Sequence, residues 1–278
     1  MGRARKARLA VGGVLAARAA LAGTAVLDAR PAGAPWRRMN YARRPVTLLG
    51  GPALAAAATV SAVAGAPAGT TTAAAVVGAV SGLVGGYDDL AGARPDQARD
   101  KGLAGHLRAL REGRVSAGAV KVVGIGAAAA VAAVLTRQGR GAGAVVDGVL
   151  TTGLVAGTAN LVNLLDLRPG RAGKAAALAA AATLGGPAGG LVAGPLGATL
   201  AVLPDDLGER VMLGDAGANT VGALLGLRLA AVPRRGPRAA LLAGIVALTL
   251  ASEKVSFTQV IEATPGLREL DRLGRRPR

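Results

Sequence analysis

The sequence predicts an all-α, polytopic membrane protein that forms a single bundle of about nine to ten transmembrane helices. Hydrophobic residues make up 51% of the 278 residues and charged residues only 18%, below the roughly 25% usual in soluble domains. The apolar residues come in runs of about 17–22, long enough to cross a hydrocarbon core of about 30 Å. These runs are rich in Ala and Gly, which let helix backbones approach closely.

The composition also excludes several classes of function. The chain has no Cys, which excludes disulfides, thiol catalysis and cysteine metal sites. Its net charge of +17 is explained better by basic loops against an anionic membrane leaflet than by nucleic acid. We therefore expect a membrane partner and no nucleic acid, and a homodimer is possible.

The apolar runs predict nine spans within one membrane domain, 1–278. A basic start, 1–8, leads into a first span that ends near residue 27; we interpret it as retained, although a signal peptide fits the same pattern. A basic loop follows at 28–45. The other eight spans are expected at about 46–64, 70–87, 117–136, 144–165, 175–186, 188–203, 216–232 and 239–252.

Two polar segments are predicted outside the spans. The loop 88–116 is expected to carry a basic surface helix at 101–113. The tail 253–278 is expected to be helical in part, and its acids Glu262, Glu269 and Asp271 alternate with Arg residues, which indicates a solvated helix face.

Charge predicts the orientation of the bundle. Loops after the odd-numbered spans share one face, and that face carries most of the 33 Lys and Arg residues and every acid except Asp147. The positive-inside rule makes this face cytoplasmic. The basic N-terminus lies on the other face and opposes this orientation.

The acids on that face occur in short motifs at span ends. Asp88 and Asp89 close the third span. A carboxylate pair at such a place is costly unless a cation or a partner is near, although a pair that caps the helix in water is an equally open interpretation. Asn160 and Asn163 share one side of the fifth span, with Asp166 near them.

Three further features lie on the same face. Asp215 opens the eighth span between Gly214 and Gly217, where glycine allows close backbone approach and the helix N-terminus favours a phosphate. The basic loop from Asn40 ends in a Gly-Gly pair at 50–51. Lys121, at the start of the fourth span, could pair with a phosphate or extend to the membrane interface.

Four segments together resemble a known family. Residues 85–92 resemble a G-x-x-DD segment, 160–166 the start of an N-x-x-N-x-x-D-G-x-D-G motif, and 213–217 an F-x-G-D-x-G segment. Residues 37–51 are similar to a first cytoplasmic loop that ends in Gly-Gly. Their order over about 35–230 resembles the polyprenyl-phosphate N-acetylhexosamine-1-phosphate transferases, the MraY/WecA group of glycosyltransferase family 4.

The resemblance implies an MraY-like helical fold in a bacterial plasma (inner) membrane, with the active-site loops in the cytoplasm. It implies a Mg²⁺-dependent enzyme, with Mn²⁺ a possible substitute, that transfers a sugar-1-phosphate from a UDP-N-acetylhexosamine to a polyprenyl phosphate and releases UMP, in cell-wall or surface-polymer assembly. Asp215 and Asp88 would be metal ligands and, with Asp89, the catalytic acids. The substrate-binding residues would be Asn160, Asn163, Asp166, Lys121 and Asn40.

The chain also departs from the family pattern. Pro169 stands where the middle motif has a second acid, and the late His-rich loop of the family is missing, since the single histidine, His106, lies elsewhere in the chain. Asp205 and Asp206 follow Pro204 and are interpreted as a turn and N-cap. These departures leave open a catalytically degenerate relative that binds a lipid carrier or a partner protein. A transporter is less favoured, because its acids would be expected near the membrane midplane.

Overall fold

The computed structural model describes residues 1–92, 111–113 and 116–276, and it is mainly helical in these ranges. The predicted all-α class is confirmed, with one small ribbon described below. The helices are α1 Arg3–Asp28, α2 Gly50–Gly65, α3 Thr71–Ala91, α4 Ala117–Leu135, α5 Ala142–Leu165, α6 Arg171–Ala182, α7 Gly190–Leu207, α8 Gly214–Ala230, α9 Arg235–Ser252, α10 Phe257–Ala263 and α11 Leu267–Arg272.

Helix α8 lies at the centre of the bundle. Most of its residues are buried, and it packs against α2, α3, α5, α6 and α7. Close packing depends on missing side chains: a Cβ on Gly85 of α3 would lie 2.4 Å from the backbone oxygen of Asp215. The Gly-rich composition therefore serves helix contact, with α1 and α2 packed on α7 at one side and α4 and α9 on α5 at the other.

The predicted number of nine to ten spans is wrong. In the described ranges four helical segments are long and apolar enough to cross a membrane: α1, α4, α5 and Pro187–Leu207, which adds a 3-10 turn to α7. A fifth results if α9 and α10, bent by 98°, form one span. Helix α6 has 12 residues, so it measures only about 18 Å at 1.5 Å per residue. These apolar helices indicate a membrane-associated protein.

The basic loop before α2 folds differently from the prediction. Its strands β1, Arg37–Met39, and β2, Pro45–Thr47, form an antiparallel ribbon in which Arg38 pairs with Val46. Val46 was expected to begin the second span, but it is buried in the ribbon, and α2 begins only at Gly50. The ribbon packs beside the chain before α8, because Thr47 also bridges to Val211.

The C-terminal tail is docked through Asp271, whereas Glu262 and Glu269 are exposed, as predicted. Asp271 is only 8% exposed and accepts hydrogen bonds from Arg171 at 2.8 and 3.1 Å and from Arg275 at 2.6 Å. The prediction of a solvated face is therefore wrong for Asp271. Lys174 adds bonds to the backbone oxygens of Leu270 and Leu273, so the tail is held on the first turn of α6.

Helices α3, α4, α5 and α8 run between two ends of the bundle. We call the carboxylate end the one that carries Asp88, Asp89, Asp166 and Asp215. The opposite end lies at the start of α3 and α5 and at the end of α4 and α8. Apart from residues 111–113, the surface helix predicted at 101–113 lies outside the described residues, as does His106.

Candidate active site

Two carboxylates from different helices converge on one lysine. The Nζ of Lys121, in the first turns of α4, lies 2.7 Å from Oδ2 of Asp88 in α3 and also binds Oδ2 of Asp215 in α8. All three side chains are less than a quarter exposed. An ion pair so poorly solvated depends on both signs of charge being present, so the three helices are tied together at this point.

Asp89 caps the N-terminus of α8 from a neighbouring helix. Its Oδ1 accepts the backbone N–H of Asp215 at 2.9 Å and its Oδ2 that of Ala216 at 3.0 Å. The first N–H groups of a helix have no partner within the helix, and a negative charge there is favoured by the helix dipole. Arg38 fixes the same turn by donating to the backbone oxygen of Asp89 at 2.6 Å.

Gly214 is required at this junction for two reasons. Its φ is +56°, in the left-handed region that favours glycine. A Cβ there would lie 2.8 Å from both carboxylate oxygens of Asp89. The glycine before Asp215, noticed in the sequence as a place for close approach, thus makes room for a carboxylate of the protein itself.

Asp166 lies beside this cluster, just beyond the end of α5. Burial raises the pKa of its carboxyl well above the usual value, and the negative charges of Asp206, Asp215 and Asp89 raise it further, while a hydrogen bond to the Gly214 backbone opposes them. The sequence prediction that the three acidic motifs meet at one end is consistent with this proximity.

Asp206 was interpreted as part of a turn and N-cap, and that is wrong. It lies in the last turn of α7, is 2% exposed, and accepts the backbone N–H of Gly170 at 3.0 Å. Its carboxylate therefore fixes the loop between α5 and α6. Asp205 pairs instead with Arg18 and Arg210, which explains how an arginine is accommodated within α1.

Asn40 organises the ribbon and holds an acid that sequence reasoning missed. Its Oδ1 accepts two backbone N–H groups of its own turn, and its Nδ2 donates to Oε2 of Glu209 at 2.5 Å. Glu209 is buried, has a φ of +53° and also binds Arg44. Its place in a short polar turn gave no sequence signal. Asn40 and Asp166 line one small cleft.

The two predicted amides of α5 differ in their surroundings. Asn160 is exposed, and its Nδ2 lies 3.5 Å from Oγ1 of Thr249 in α9. Asn163 is half-buried, and its backbone oxygen accepts the N–H of Asp166 at 3.0 Å. The structure thus joins Asp88, Asp89, Lys121 and Asp215, keeps Asp166 adjacent, and turns Asn160 towards α9.

The cluster has more negative than positive groups. Burial raises the pKa of Asp89 to about 6, against its two backbone hydrogen bonds, and burial and a hydrogen bond with Asp88 raise the pKa of Asp215. Both lie at helix ends outside the apolar runs. The raised pKa values mean that burial disfavours the charged form of both carboxyls.

The donor set was compared with the needs of Mg²⁺. Within the described ranges, no three acidic or histidine side chains converge to hold a metal by themselves. Mg²⁺ often takes only one or two carboxylates and completes its shell with water and substrate phosphates. Asp88 and Asp215 already converge on one cation, so their oxygens fit that role.

No protein-family model, curated protein or solved structure matches this chain.

Proposed function

We propose that this chain is a membrane phosphosugar transferase that moves a sugar-1-phosphate from a UDP-N-acetylhexosamine to a polyprenyl phosphate and releases UMP. The supporting observation is the meeting of Asp88, Lys121 and Asp215, from three helices, beside the capped N-terminus of α8. We further propose that the carboxylate end faces the cytoplasm of a bacterium and that the product serves cell-wall or surface-polymer assembly.

The proposed reaction exchanges one phosphorus–oxygen bond for another. An oxygen of the polyprenyl phosphate attacks the phosphorus bonded to the sugar, the bond from that phosphorus to the UMP oxygen breaks, and a polyprenyl diphosphate sugar forms. Both reactants are anionic, so positive charge must screen their approach. Lys121 would provide this positive charge. In the substrate complex its ammonium would bind a substrate phosphate in place of the two carboxylates.

Asp88 and Asp215 would then hold Mg²⁺, or Mn²⁺, together with phosphate oxygens. When bound, the metal would supply positive charge next to the leaving diphosphate oxygen. Asp89 acts in this proposal as a positioning residue, because both of its oxygens hold the start of α8 and thereby orient Asp215. Asp166 and Asn40, which share one cleft, would contact the nucleotide side of the donor.

The test is a transfer assay with the purified protein. The protein is incubated with Mg²⁺, undecaprenyl phosphate and radiolabelled UDP-N-acetylhexosamines, and lipid-linked label is extracted. We expect product with the native chain and a loss of about 100-fold or more in Asp215→Asn. Asp205→Asn is the matched control, because Asp205 lies at the same end but binds Arg18 and Arg210. Absence of product with every common donor contradicts the proposal.

A second candidate is a catalytically degenerate relative that binds a lipid carrier or a partner protein. Pro169 stands where the second acid of the motif is expected, and its backbone oxygen accepts a hydrogen bond from Arg275 at 2.8 Å. The docked tail thus holds the loop in which the family has an acid. Binding of the nucleotide or lipid without turnover, unchanged in Asp215→Ala, would favour this candidate.

A further inference from the structure

A second cavity opens at the opposite end of the bundle. Its volume is about 400 Å³, within the roughly 300–1,000 Å³ of small-molecule sites. It lies between the start of α3, the end of α4, the first turns of α5, the end of α8 and the start of α9. Along α4 it is separated from the carboxylate cluster by the stretch from Lys121 to Thr136, about 22 Å of helix.

Arg238 is the buried charge of this cavity. It is 7% exposed, and it donates to Oδ1 of Asp147, to the backbone oxygen of Asp147 and to Oγ1 of Thr151, each at 2.9 Å. Its Nε is buried, and no acceptor for it exists in the part of the chain that the structure describes. A buried donor of a charged group is costly to leave unpaired. The three bonds use three of the five guanidinium N–H donors, so Nη1 keeps one N–H for an acceptor in the cavity that Arg238 lines.

The surroundings of the cavity carry a positive excess. Arg235 binds the carboxylate of Asp147 as well, at 2.8 and 3.0 Å, so two guanidinium groups share one acid. Arg137, at the end of α4, lines the cavity too. The local charge is therefore positive even with Asp147 ionised.

The start of α3 adds a partial positive charge. Residues 68–70 line the cavity, and the N-cap Thr70 makes no side-chain capping bond. The first N–H groups of α3 thus have no side-chain acceptor from their own cap, and helix N-termini favour anions. The buried guanidinium of Arg238, the guanidinium of Arg137 and the start of α3 all favour a negatively charged ligand.

We propose that this cavity is a second binding site, separate from the carboxylate cluster, for a phosphate-bearing anion that Arg137 and Arg238 contact. Guanidinium groups match phosphate oxygens in geometry and charge. The phosphate belongs either to a phospholipid head group or to a soluble ion. Either source presents the same oxygens to the two arginines.

The experiment uses the full chain in zwitterionic detergent and two probes. Native mass spectrometry measures retention of phosphatidylglycerol against phosphatidylcholine, and titration calorimetry measures binding of inorganic phosphate. We expect saturable binding of one equivalent of at least one of the two probes. Arg137→Gln should weaken it roughly tenfold or more, the loss expected for one charge-assisted hydrogen bond.

Arg140→Gln is the matched control, because Arg140 is exposed in the same loop and does not line the cavity. Arg238→Gln is a second variant. If Arg238→Gln does not fold, the result for Arg137→Gln decides the test. Phosphatidylglycerol binding alone assigns the site to lipid, and phosphate binding alone assigns it to a soluble anion. Binding by neither probe, or an equal loss in Arg140→Gln, overturns the proposal.

Discussion

Replacing Asp89 by asparagine measures how much the cap of α8 contributes to the free energy of unfolding. The native carboxylate accepts two backbone N–H groups, at 2.9 and 3.0 Å, whereas an amide keeps one acceptor and turns a donor towards the other N–H. An unpaired N–H costs about 1–3 kcal/mol, and the lost charge at the helix start about 0.3–1 kcal/mol. The raised pKa of Asp89 shows that burial disfavours its charge, which offsets part of this loss.

We therefore expect Asp89→Asn to lower the free energy of unfolding by about 1–2 kcal/mol, or the unfolding midpoint by about 4 °C. Thermal unfolding in one detergent is followed by circular dichroism and by the fluorescence of Trp36. Trp36 is the single tryptophan of the chain, and its ring lies next to Gly86 of α3, so it reports on this end of the bundle.

Asp88→Asn is the control, because it removes one carboxylate charge from the cluster and leaves the cap of α8 in place. Lys121 keeps Asp215 as a partner in that variant, and the backbone bonds of α8 are intact, so its midpoint should fall less. An Asp89→Asn midpoint equal to that of the native chain, or a larger fall in Asp88→Asn, would refute the capping argument.

Two further predictions concern helix contact and the tail. Gly85→Ala places a Cβ 2.4 Å from the backbone oxygen of Asp215 and should lower the free energy of unfolding by about 1–3 kcal/mol, as measured by thermal unfolding. The control Gly126→Ala lies in open space within α4 and should be neutral or stabilising. Equal effects of the two substitutions would contradict the packing argument. Although burial raises the pKa of Asp271, the hydrogen bonds of Arg171 and the charges of Arg275 lower it below its usual value. Its contribution is then present above the unfolded pKa of about 4 and lost as the pH falls through the folded pKa. The tail should therefore resist thermolysin near neutral pH and pepsin near a pH of about 4, and pepsin should cleave it only in more acidic solution. Cleavage of the tail by thermolysin near neutral pH would contradict this.

The helices were predictable because apolar runs of helix length leave few alternatives. The number of spans was not, since apolarity reports removal from water and does not distinguish lipid from protein. Helix α8 shows the ambiguity: its residues are apolar and small because other helices surround it. The ribbon at 37–47 was missed for a related reason, as three-residue strands carry no usable periodicity.

The sequence predicted that several acids lie at one end of the bundle, but not which partner each side chain has. The motifs placed Asp88, Asp89, Asp215 and Lys121 at one end, and the structure brings them together. Asp206 was assigned to a turn and Asp271 to a solvated face, and Glu209 was missed. A carboxylate in a polar segment gives the same sequence pattern whether its partner is water or a group distant in the chain.

The sequence by itself determined that the chain is helical, that it is apolar enough for a membrane, and that its acids gather at the ends of a few helices. Only the tertiary structure decided what each acid does. Neighbouring residues of a helix point about 100° apart, so Asp88 faces Lys121 while Asp89 faces the start of α8. Which helix lies on each side depends on packing between segments that are distant in the chain, 126 residues apart for Asp89 and Asp215, and no local pattern encodes that.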